Sequence, residues 1–209
     1  MASPEESPNP DPVSFYELVS TKKIPTHRIS HSTNPDTPLY TVKTYESLSR
    51  KKPGIVLHAG DSKSSPVAGV VRMHSKHAKF HTIGIGNPDA IMEDDRDENE
   101  RMVWERLQRM KKWSYRWYEF EFGGQVYTWR RTADRWLRSL RDMELRVGKK
   151  EDGELVAAWR GTSRMNVKRG SFFIKRRDEG VEGVEGGRFE TMTLLTGLAI
   201  IEGFMRRAR

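Results

Sequence analysis

Between positions 160 and 177 the chain carries Arg160, Arg164, Lys168, Arg169, Lys175, Arg176 and Arg177, and not one acidic residue. Guanidinium and ammonium groups at this density do one kind of chemistry well, the binding of anions. Arg meets a phosphate or carboxylate with a planar fork of N–H donors, and Lys meets it as a point charge. Arg130 and Arg131 follow an aromatic run, and Arg206, Arg207 and Arg209 close the sequence. Arg130, Arg131, Arg164, Lys168, Arg169, Lys175, Arg176 and Arg177 are therefore the candidate anion-binding residues. The competing role for such charges is structural, because cations on a strand stay in water and discourage edge-to-edge pairing.

Other constellations are weaker. His74, His77 and His81 lie in HSKHAKFH with His58 upstream, and imidazoles on one strand face can bind zinc or copper. No Asp, Glu or Cys stands close by to complete a shell, so no metal is expected. GIGNP at 84–88 lacks the third glycine of a dinucleotide fingerprint and reads as a turn. The acidic run AIMEDDRDENE lacks the spacing of a calcium loop and reads as a solvated segment. No nucleophile elbow, phosphate-binding lysine loop or zinc-protease helix occurs, so the expectation is a protein that is not an enzyme and has no cofactor.

Composition narrows the partner. The formal charge is +8, and six Trp, six Tyr and eight Phe argue for a packed chain rather than a disordered one. With no cysteine, disulfides and thiolate chemistry are excluded, which favours an intracellular compartment. The start, MASPEESPNPDP, has neither the basic nor the apolar part of a signal peptide.

The elements that must position these residues read mainly as strands. LYTVKTYE, GIVLHAG, VAGVVRMH, AKFHTIGIG, MELRV, ELVAAWRG and GSFFIKRR are short runs rich in β-branched and aromatic residues, separated by turn residues. In SYRWYEFEFGGQVYTWRRT two aromatic runs flank Gly123-Gly124, which suits a two-residue hairpin turn. Opposed residues then sum to 247, so Phe120 meets Tyr127 and Tyr118 meets Trp129, with a bulge or a change of partner expected near residue 117. MVWERLQRM has a one-face helical spacing, and VSFYELVS could form a short helix. The domain expectation is a disordered or extended tail over 1–37 and a single domain over 38–209.

The last segment is apolar all round from Phe189 to Met205, which means burial on every side or lipid. Its uncharged part, residues 191–201, is only about 16 Å long as a helix, against the ~20 residues a bilayer needs. A core helix over 189–205 is thus expected, with Leu194, Leu195, Leu198, Ile201 and Phe204 as plug, and no transmembrane span. The fold that buries such a helix is a closed antiparallel β-barrel of about 10–12 strands wrapped around it.

That order of features resembles the tubby C-terminal-like superfamily, which includes the LURP-one-related proteins and the phospholipid scramblases. The residues that carry the resemblance are YRWYEFEFGGQVYTWRR, ELVAAWRG, GSFFIKRR and FETMTLLTGLAIIEGFMRRAR, over roughly residues 38 to 209. The nearer likeness is to small fungal proteins of this type. The resemblance implies a barrel around a hydrophobic C-terminal helix, and phosphoinositide headgroups at a membrane surface as the favoured partner. It transfers no ligand residue to a numbered position here. The alternatives are a nucleic-acid-binding or transcription-linked adaptor, and a membrane-associated, scramblase-like protein with the terminal helix inserted. The cysteine-rich and calcium-binding segments of scramblases have no counterpart in this chain.

Overall fold

A computed structural model describes residues 13–20, 26–45, 52–74, 78–86, 102–111, 114–132, 142–150, 152–162, 168–175 and 187–208. Twelve strands form one closed antiparallel barrel. They are β1 (Val13–Ser20), β2 (Thr26–His31), β3 (Asn34–Thr44), β4 (Ile55–Ala59), β5 (Val67–Arg72) and β6 (Phe80–Ile85). The second half comprises β7 (Val103–Lys111), β8 (Ser114–Phe122), β9 (Gln125–Arg131), β10 (Met143–Val147), β11 (Leu155–Gly161) and β12 (Lys168–Lys175). Each strand pairs with its sequence neighbour, and β1 pairs with β12 to close the ring. One helix, α1 (Arg188–Ala208), follows the last strand.

The aromatic hairpin forms in the register its sequence dictates: Phe120 opposes Tyr127 and Tyr118 opposes Trp129. Gly123 and Gly124 have φ of 58° and 72°, the left-handed pair that a type I′ turn requires. Phe120 and Tyr127 stack at 5.3 Å inside the barrel. The expected irregularity near residue 117 also occurs, as a register shift where Arg109–Lys111 meets Ser114–Tyr118.

Three expectations need correction. The barrel begins at Val13, not at residue 38. Residues 13–20 are a strand rather than a helix, because Ser14, Tyr16 and Leu18 point inward while Val13 and Phe15 stay exposed. Residues 26–31 and 34–44 are strands despite Pro35 and Pro38, which sit where the β2–β3 register breaks at Ile29–His31 and few ladder bonds are needed. MVWERLQRM is strand β7, with Leu107 and Arg109 buried and Arg106 and Met110 exposed. An arginine at an inward position had broken the alternation that marks a strand. Residues 1–12 and 90–100 lie outside the described residues.

Helix α1 fills the barrel. Residues 191–200 are all buried, and they meet strands from opposite sides of the ring. The Trp129 indole N–H of β9 donates to Thr196 Oγ1 at 2.9 Å, and Tyr127 packs on Phe189 at 5.0 Å. Gly197 lies against Phe172 of β12, and Leu195 reaches Gly69 of β5. Leu194, Leu195 and Leu198 are core as expected, whereas Ile201 and Phe204 are only half-buried at the barrel mouth. Burial of Phe189, Met192, Leu194, Leu195, Leu198 and Ile200 stabilises by roughly 1.5–3 kcal/mol each, a total on the order of 10 kcal/mol. That is comparable to the whole net stability of a domain. Among the described residues no helix is long and apolar enough to cross a membrane.

The two helix glycines separate packing from propensity. A Cβ at position 197 would stand 2.5 Å from Phe172 Cε1, whereas at 203 the nearest atom is the Arg207 guanidinium at 3.5 Å. Gly197→Ala should therefore destabilise by about 1–3 kcal/mol in urea unfolding, and Gly203→Ala should be neutral or stabilise by up to ~1 kcal/mol. Leu198→Asp, at a position 4% exposed, should abolish cooperative folding, as read by near-ultraviolet circular dichroism.

Candidate functional site: a cationic barrel mouth

Strand direction assigns the residues to the two ends of the barrel. At one end lie the starts of β2, β10 and β12, the ends of β1, β5 and β9, and the C-terminus of α1. The N-terminus of α1 lies at the other. Because side chains alternate between faces, each basic run is halved by the pleat.

The predicted anion-binding residues accordingly scatter. Arg131 shares the inward parity of Trp129, while Arg130 stands opposite Glu144 of β10 on the outer face. Arg169 and Lys175 lie at opposite ends of β12, six residues and roughly 20 Å apart. Lys175 Nζ sits 3.7 Å from Glu154 Oε1, far from the mouth that holds Arg169. Of Lys168 only the backbone is described, and Arg164, Arg176 and Arg177 lie outside the described residues. Among the described side chains, Arg130, Arg131, Arg169 and Lys175 do not form one patch.

The structure gathers a different set. Leu107 opposes His81 across the β6–β7 ladder, so Arg109, two residues on, points into the barrel beside the imidazole. Both are buried, His81 at 5% exposed and Arg109 at 8%. From inside the ring, the charges of Arg206 and Arg207 in the last turn of α1 are felt at His81. Arg206 Nε donates to Glu202 Oε1 at 2.8 Å, which fixes its stem, but its Nη1 is buried with no hydrogen-bond partner among the described residues. The Nδ1 of His81 and the Nε of Arg131 and Arg169 are buried in the same condition. Such groups cost free energy unless something meets them.

His81 reports the local field. Its pKa is held down at about 4, first by burial and then by His74, Arg207, Arg109 and Arg206, all of them cationic when protonated. His74 reaches it through the sheet from the outer face, where its Nε2 lies 3.0 Å from Thr82 Oγ1 and its ring packs on Phe80. The imidazoles are thus held apart: His58 Nδ1 instead meets Ser65 O at 3.0 Å, and His77 lies outside the described residues. Among the described residues no group of three or more His, Asp or Glu could hold a metal ion.

At the opposite mouth an acid meets the helix end and two tyrosines. Glu190 in the first turn of α1 suits the positive end of the helix dipole and accepts from Tyr40 Oη at 3.4 Å. Burial first, then the Glu190 charge, pushes the Tyr40 hydroxyl up to about 12 and raises that of Tyr16 as well, so both remain donors.

Sequence reasoning passed over His81 as an anion ligand and Arg109 altogether. The one usable signal was an arginine two positions after a buried leucine in what is a strand. No family model, curated protein or solved structure matches the chain.

The depressed His81 pKa fixes a pH dependence. Unfolded, the imidazole titrates near 6.5; folded, it titrates near 4, so between these values the unfolded chain binds more protons and stability falls with falling pH. The loss from this residue alone should reach roughly 3 kcal/mol by pH 4, and His81→Gln should remove that component, as read from urea unfolding of both proteins at several pH values.

Proposed function

We propose that the protein is a non-catalytic binding module whose mouth at the α1 C-terminus recognises an anionic headgroup, a phosphoinositide at a membrane surface. What supports the proposal is the gathering of Arg109, Arg206 and Arg207 around the buried His81, with His81 Nδ1 and Arg206 Nη1 lacking a hydrogen-bond partner among the described residues. Cationic groups gathered around a partly buried site attract polyvalent anions through their summed field, and here Glu202 offsets only Arg206 among them. Phosphate oxygens would satisfy the donors that the fold leaves open, and resemblance to the tubby-like proteins points to the same ligand class.

Surface aromatics favour this over nucleic acid. Stacking on bases needs an open ring face. On the outer face Arg72 lies over Trp104 and Arg106 over Phe80, each at 4.3 Å, so those rings already hold a cation. Nor does a terminal helix buried in the barrel and hydrogen-bonded to Trp129 lend itself to insertion in lipid.

Vesicle flotation of the full chain, with and without phosphoinositide, tests the proposal. The protein should float only with the phosphoinositide, and Arg207→Gln should weaken binding about five- to tenfold. Because a bound anion favours imidazolium, binding should also tighten as the pH falls from about 7 towards about 5, and His81→Gln should abolish that tightening. Absence of flotation at low salt would overturn the proposal.

A further inference from the structure

The last turn of α1 divides the mouth. Opposite the His81 cluster, between α1 and strands β1, β2, β3, β10, β11 and β12, lies a cavity of about 130 Å³. Its wall is mostly apolar: Leu18, Met143, Trp159, Ile201, Phe204 and Met205 supply it. The space is close to the ~150 Å³ engineered cavity that admits benzene, so it fits an aromatic ring or a short alkyl body.

One cation is aimed into it by a local device. Leu18 pairs with Gly170 and Val19 with Lys168, so Arg169 is the extra residue of a β-bulge. Bulges re-aim side chains, and here Arg169 lines the cavity instead of the outer face. Its carbonyl is fixed by the backbone N–H and the hydroxyl of Thr162, at 3.1 and 3.2 Å. Gly170 is needed beside it, because the Trp159 indole lies where a Cβ would fall, at 2.4 Å. The Nε of Arg169 is buried without a hydrogen-bond partner among the described residues. The one acid lining the cavity, Glu202, is already held by Arg206 at 2.8 Å, so the charge left over is positive.

From this geometry we infer a second binding site, for a small amphipathic carboxylate: an aryl or short-alkyl acid whose apolar body sits against Trp159, Leu18 and Ile201. Its carboxylate accepts from Arg169 in the fork geometry that guanidinium groups favour. The site is separate from the surface proposal, since its ligand contacts are Arg169 and an apolar wall rather than His81, Arg109 and Arg207; the two share only Arg206, which holds Glu202.

The test uses the full chain with 3-phenylpropionate and its neutral counterpart 3-phenylpropan-1-ol, read by calorimetric titration and by quenching of tryptophan fluorescence. The acid should bind saturably, with a dissociation constant on the order of 0.1 mM, and about tenfold more tightly than the alcohol. Arg169→Gln should bring the two ligands within about threefold of each other by loss of acid affinity alone. Met205→Trp, which fills the cavity from its half-buried rim, should abolish both while the melting temperature is kept, so a failure of Arg169→Gln to fold leaves the inference testable. No saturable acid binding by the native chain, or an acid preference that survives Arg169→Gln, would overturn it. A protein that floats with phosphoinositide vesicles yet refuses the acid sinks this inference alone; one that takes the acid without floating supports it and sinks the surface proposal alone.

Discussion

A ring of twelve strands cannot be filled by its own side chains. Eight strands already make an interior that inward residues just fill, and diameter grows with strand number. The lumen therefore demands a second element, and a helix of about 10–12 Å diameter with its side chains meets the need. Everything else in the structure follows from seating that helix. It must be apolar on every side, it must be narrow where Phe172 crosses it at Gly197, and the Thr196 hydroxyl in its dry middle must be satisfied, here by the Trp129 indole.

A helix threaded through a barrel also carries its ends to the two mouths, and with them its charges. At the N-terminal mouth the arrangement closes on itself, since Glu190 meets the helix dipole and the tyrosine hydroxyls in one network. At the C-terminal mouth Arg206 and Arg207 suit the carbonyl end of the helix, and they arrive where Arg109 and His81 already point inward, with Glu202 held by Arg206. Like charges under partial burial are costly, and a fold keeps such a cost where function uses it. The two ends thus differ in charge, acid and tyrosine at one and gathered cations at the other.

The fold was largely legible because its strongest constraints are local. Gly123-Gly124 sets the hairpin register through φ alone, and the run from Phe189 to Ile200 declares its burial by having no polar face wide enough for water. Apart from β2 and β3, where prolines at a register break hid the strands, the failures share one physical cause. Strands β1 and β7 place a serine and an arginine at inward positions, Ser14 and Arg109, so the binary pattern that marks a strand is broken where the chain departs from a plain core. The site was less legible than the fold. A run such as Arg130-Arg131 looks like a patch in sequence, yet on a strand its two side chains face opposite sides of the sheet. His81, Arg109 and Arg206 are distant in sequence and meet only because β6 pairs with β7 and the helix ends beside them.

The bulge at Arg169 shows the same logic at the scale of one residue. In perfect register the arginine would face water, as most strand cations do; one extra residue turns it inward onto an apolar wall. That inversion depends on Gly170 and on the flat face of Trp159 behind it, so the ligand-facing guanidinium and the packing of β11 on β12 are one structure rather than two. A change made to tune binding at Arg169 alters the cavity wall at its half-buried rim rather than the strand that carries it. A change at Gly170 does more, because it displaces the indole that forms both the cavity wall and the neighbouring core. Specificity at this mouth can therefore vary through the side chain of residue 169 while the backbone that aims it stays fixed.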